Sequence, residues 1–137
     1  MSTGRQTIRR AALCACLATL AMVAQAAPDA TRGEQVYARC LACHALASDR
    51  VGPRHCGLIG RRAASVAGFD YSPAMKHSGI VWNEKSLNGF LAKPMRAVPG
   101  TSMTYDGVPI AADRADLIAY LKKVNTEAVC QPGSAKP

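Results

Sequence analysis

The sequence predicts an all-α fold, one domain of short helices joined by long irregular loops. Three observations lead there. The 137 residues suffice for one domain and are too few for two. Leu117, Ile118, Tyr120, Leu121 and Val124 recur at helical spacing, while glycines and prolines between residues 45 and 81 break any regular period. The run Cys40-Leu41-Ala42-Cys43-His44 sets two thiols three residues apart, with an imidazole beside the second. That pattern is a c-type haem attachment site. Each thiol can add to one vinyl group of the same porphyrin, and a neutral histidine is a good ligand for iron in either oxidation state. The expected domain is therefore a set of helices and loops wrapped around one covalently bound haem c.

Two other chemistries use such residues. A thioredoxin-like redox pair needs a preceding buried strand, and what precedes Cys40 reads as helix. A zinc site needs further Cys or His ligands at suitable spacing, and His55 and Cys56 are adjacent. Seven aromatic residues in the whole chain are few for a core, which agrees with a core completed by a large rigid cofactor.

The elements follow in order. Arg5, Arg9 and Arg10 precede an acid-free, mostly apolar run from Ala11 to Ala24, and Ala24-Gln25-Ala26 places small residues where a signal peptidase reads. Residues 1–26 are thus expected to be a secretory signal peptide that carries off Cys14 and Cys16. About 14 apolar residues fall short of the roughly 20 a spanning helix needs, so no membrane span is expected in the mature form. The same short run argues against a lipid-anchored Cys16. Residues 27–130 form the domain, and 131–137 a polar flexible tail. Asp29 can cap a first helix that carries Val36, Tyr37 and Leu41 on its apolar positions. Gly33 inside it points to close approach of another helix. Residues 45–62 read as loop, with Arg61-Arg62 a solvated pair. A short helix is expected at Ser72–His77, and another starts at Asn83 or Ser86 and ends by Pro94. Residues 98–103 form a turn-rich loop. The last helix opens at Asp113-Arg114-Ala115-Asp116, with acids where the helix dipole favours them and Lys122-Lys123 in its final turn.

Without the leader, fourteen basic residues face nine acidic ones, a net charge of +5. Lysines and arginines are scattered, which excludes the dense basic patch that nucleic acid needs. A mild positive balance suits steering toward an acidic protein surface.

From about Gly33 to Val124 the chain resembles class I cytochromes c of the bacterial soluble, mitochondrial-like branch. The landmarks are Cys40-Leu41-Ala42-Cys43-His44, Gly52-Pro53, Gly57-Leu58-Ile59-Gly60-Arg61, Gly68-Phe69-Asp70-Tyr71-Ser72, and Gly79-Ile80-Val81-Trp82. Pro99-Gly100-Thr101-Ser102-Met103 and the final helix complete the series. The resemblance implies that His44 is the proximal iron ligand and Met103 the distal one. It implies that Pro53 offers its carbonyl to the far nitrogen of His44. Arg61, Tyr71, Ser72, Trp82 and Thr101 would surround the haem propionates. Met75 and Met95 are the other methionines of the mature chain, and only Met103 lies in a Pro/Gly-rich loop able to turn a thioether inward. His55 and His77 are expected at the surface. The chain departs from the family in carrying Phe90 and Met75 where relatives have tyrosine and asparagine, and in a shorter loop between His44 and Pro53. Its basic ring around the haem edge is reduced to Arg39, Arg50, Arg54 and Arg96.

The implied function is that of a periplasmic one-electron carrier, not an enzyme. It would act as a monomer on a membrane cytochrome complex or an oxidase through an exposed haem edge. The alternatives are an electron-transfer subunit of a larger oxidoreductase and a haem peroxidase or sensor with a labile distal Met. Cys56 and Cys130 remain as an even pair in an oxidising compartment. In the resembled fold the end of the last helix packs near the Cys56 loop, so a disulfide is expected, against two unrelated cysteines or a Cys130 that links two chains. Closing so long a loop would contribute about 4 kcal/mol in the chain-entropy picture.

Overall fold

Asp29 starts the first helix, α1 (Ala30–Tyr37), by local chemistry. Its backbone is extended, and its carboxylate accepts the amide protons of Thr31 and Arg32 at 2.7 and 3.3 Å. Those donors have no earlier turn to reach. A 3₁₀ turn, Ala38–Cys40, carries α1 into the Cys-Leu-Ala-Cys-His run. The computed structural model describes residues 26–131. The expected signal peptide, with Cys14 and Cys16, and the tail beyond Gln131 lie outside the described residues, save Ala26 and Gln131 themselves.

Helix α2 (Pro73–His77) is capped by the Ser72 hydroxyl, which accepts the Met75 amide proton at 3.2 Å. Helix α3 (Glu84–Ala92) opens on a reciprocal box in which the Asn83 and Ser86 side chains satisfy each other's backbone amides. Pro94 does more than end that helix. It starts a further turn, α4 (Pro94–Ala97), where its missing N–H costs nothing. Helix α5 (Ala111–Val124) begins two residues before the expected Asp113 and keeps the basic last turn. Among the described residues no strand forms. The loops 60–63 and 80–82 are clipped together by an antiparallel bridge between Arg62 and Val81. Trp82 N–H donates to the Arg61 carbonyl at 2.9 Å, and Gly60 N–H to the Trp82 carbonyl at 2.7 Å, which seats the indole.

The frame is the crossing of α1 over α5. A side chain on Gly33 would place its Cβ 2.5 Å from the Asp116 carbonyl carbon and 2.8 Å from Tyr120 Cβ, so only glycine lets the helices approach this closely. That approach changes the expected role of Asp116. It was expected among the first-turn acids but lies beyond the first turn, buried, and it accepts the Asp29 amide proton at 2.6 Å and a hydrogen bond from Arg32 Nε at 2.8 Å. The five apolar positions predicted on α5 are all buried and join Val36, Tyr37, Leu87 and Phe90 in one core. No helix among the described residues is long and apolar enough to cross a membrane.

Candidate haem-binding site

The helices stop short of filling their own centre. A cavity of about 340 Å³ opens there, in the range that encloses most of a small organic molecule. Six of the seven aromatic residues line it: Tyr37, Phe69, Tyr71, Trp82, Phe90 and Tyr105. The scarce aromatics are therefore gathered around this space, where Tyr37, Trp82 and Phe90 also belong to the core.

Cys40, Cys43 and His44 reach that space from the turn after α1. Both thiols are free, Cys43 exposed and Cys40 half-buried. Burial pushes the Cys40 thiol up to about 11, against the lowering charge of Arg39. His44 is buried, and its Nδ1 lies 2.8 Å from the Pro53 carbonyl oxygen. The ring donates there, which leaves the Nε2 lone pair free for iron. Burial lowers the imidazole's proton affinity, and the Pro53 acceptor partly restores it. Gly52 completes the seat, since a Cβ would stand 2.5 Å from both ring nitrogens of His44. Met103, half-buried, faces the same cavity from the turn-rich loop, its amide donating to Thr101 Oγ1 at 3.2 Å. Two thiols, an imidazole with an open nitrogen and a thioether around one apolar space are the donor set a covalently held haem requires.

The sequence profile of the family described as cytochrome c covers residues 30–125. The chain belongs to the cytochrome c family. It is similar to cytochrome c2 of Blastochloris viridis, at 43% identity over 105 residues spanning 74% of this chain and 83% of that one. Cytochrome c of Tetrahymena pyriformis is 50% identical over 98 residues, 70% of this chain and 89% of the relative. Among solved structures, cytochrome cH from Methylobacterium extorquens superposes with a TM-score of 0.68 at 40% identity, covering 69% of this chain and 98% of that one. As a cytochrome c, the chain is an electron carrier that holds a covalent haem c, not an enzyme, and its all-α architecture is the class I one.

Within this cytochrome c fold, Pro53, Arg61, Tyr71, Trp82, Thr101 and Met103 share the cavity with the Cys-Leu-Ala-Cys-His run. Ser72 does not: its hydroxyl is taken up in capping α2. Arg61 is half-buried rather than solvated, donating to the carbonyls of Cys56 and Arg54 at 2.9 Å each, and only Arg62 is exposed. Met75 also touches the cavity but is core, with the Ser78 hydroxyl 3.9 Å from its sulfur, and Met95 lies off the wall, 45% exposed. The Cα atoms of Cys56 and Cys130 lie 5.0 Å apart with their sulfurs at bonding distance. His77 is exposed as expected, but His55 is half-buried. Its ring stacks on that of His44, centroids 4.3 Å apart, and burial, with the nearby His44 and Arg61, pushes its pKa down to about 3. A lone loop histidine carries no periodic signal.

Proposed function

We propose that this protein is a periplasmic one-electron carrier with Cys40 and Cys43 in thioether linkage to haem and His44 and Met103 as axial ligands. The observation that carries the reading is the His44 seat: Pro53 orients the ring on the cavity that both free thiols and Met103 also face. When bound, the haem supplies a ferric–ferrous couple, whose potential His/Met ligation raises. With both Met103 and His44 holding the iron, no position would be left open to oxygen or substrate. Arg61, Tyr71, Trp82 and Thr101 line the cavity and would meet the propionates, which need donors once buried. The aromatic wall keeps the site dry and disfavours extra ferric charge. The leader-like residues 1–26 and the cysteine pair in bonding geometry support an exported, oxidising location. The partners are a membrane cytochrome complex or an oxidase, met by a monomer through the haem edge.

The ferric spectrum tests the ligand set. The methionine-to-iron charge-transfer band at the near-infrared edge should vanish in Met103→Ala and persist in Met75→Ala and Met95→Ala. A band that survives in Met103→Ala rejects the assignment.

A further inference from the structure

His55 stands outside the ligand set, yet its ring lies against that of His44 with centroids 4.3 Å apart and planes 21° from parallel. Aromatic rings at that separation attract when offset. Ordering a loop side chain costs conformational entropy, so the pose needs anchors. The structure provides several. The Tyr37 hydroxyl and His55 Nδ1 are hydrogen-bonded at 3.0 Å, and the two rings meet edge-on at 5.6 Å. Tyr37 is itself buried on α1 against Tyr120, with ring centroids 5.1 Å apart. The His55 amide donates to the Ala45 and Leu46 carbonyls at 3.1 Å each, and its carbonyl accepts from Asn125 Nδ2 at 3.4 Å. The next residue, Cys56, is joined to Cys130.

His44 needs such a partner. Its bond to the Pro53 carbonyl fixes the tautomer, and Gly52 lies against the ring, but neither is a flat surface that sets the plane's rotation. A parallel ring on its face removes that freedom. We propose that His55 is a positioning residue for the redox centre: stacked on His44, it fixes the rotation of the proximal imidazole plane. The inference rests on His44 being the proximal ligand. An imidazole's π orbital overlaps the iron d orbital perpendicular to the ring plane. With haem bound, the rotation His55 imposes would therefore select which iron d orbital holds the ferric hole, with no bond made or broken.

Electron paramagnetic resonance of the ferric holoprotein reads that rotation as the spread of the principal g values, and a redox titration reads its effect on potential. His55→Leu removes the ring and keeps an apolar side chain. It should retain covalently attached low-spin haem while the g spread changes and the midpoint shifts. His55→Phe restores a ring that can stack and should return both readings toward wild type. Wild-type g values and midpoint in His55→Leu would overturn the proposal, as would a His55→Phe protein indistinguishable from the Leu variant. If neither accumulates as holoprotein, Tyr37→Phe decides, since it removes one oxygen atom and keeps both rings. A changed g spread there supports the proposal and an unchanged one overturns it. Failure of the ligand assignment is separate: it would show as a low-spin spectrum retained in His44→Ala.

Discussion

Asp116 shows what one side chain does when a helix crossing buries it. Its carboxylate meets Arg32 and the Asp29 amide within hydrogen-bond distance. The bond to Arg32 first, then the Asp29 amide, hold its pKa below the ordinary value of 3.8, against the opposing effect of burial. A carboxylate depressed in the folded state contributes stability that is complete above its unfolded pKa and fades as pH falls through the folded one. The thermal midpoint of the wild type should therefore drop as the solution is acidified through the carboxylate range. Asp116→Asn should melt lower at neutral pH and show a shallower acid slope, read by circular dichroism. Equal slopes for the two proteins would show that the acid sensitivity lies elsewhere.

At the scale of elements, the α1–α5 crossing turns on a missing side chain. Gly33→Ala adds one carbon against the backbone of Asp116, where nothing flexible can give way. Overpacking of this kind costs about 1–3 kcal/mol, which outweighs or matches the roughly 1 kcal/mol of helix propensity gained. Urea unfolding should show a loss of stability for Ala and a larger one for Gly33→Val. A stabilised Ala variant would mean the crossing tolerates separation. Gly33 was legible because a glycine inside a helical pattern is a local signal. So were Asp29, Ser72 and Asn83, whose capping chemistry acts within three residues. Pro94 was ambiguous for a physical reason: the ring that stops one helix equally starts the next. The clip between loops 60–63 and 80–82 was illegible, since its backbone bonds leave no mark on side-chain pattern.

For the molecule as a whole, the proposed covalent end of the site stands out residue by residue, because Cys40, Cys43 and His44 are neighbours in the chain. Its other end does not. Met103 meets them only through the fold, and its Pro/Gly-rich loop and a resemblance set it apart from Met75. His55 was expected at the surface, because its stacking on His44 depends on tertiary packing alone. The charge around the site is also less than the sequence suggests. Arg39 pairs with Asp113 and Arg54 with Asp49, while Arg50 and Arg96 form no ion pair among the described residues. Docking on an acidic partner through an interface of less than about 1,200 Å² should then respond weakly to salt. Bimolecular electron transfer should slow by about tenfold or less as the Debye length shrinks to roughly 10 Å and below. A rate indifferent to ionic strength would reject steering by charge.

The Cys56–Cys130 link spans 74 residues. On the proposed route of export the chain emerges N-terminus first. Cys40, Cys43 and Cys56 then reach oxidants together, while Cys130 is still behind the membrane. Three thiols wait for a fourth, and a wrong pair can close before it arrives. Timing then governs the yield: haem must claim Cys40 and Cys43 before Cys56 does. Cys130→Ser prolongs that interval indefinitely. It should trap a fraction of chains with Cys56 bonded to Cys40 or Cys43 and empty of haem, while removal of Cys56 as well restores loading. Intact-mass analysis distinguishes these species, and full haem loading in the single variant would show that no such race takes place.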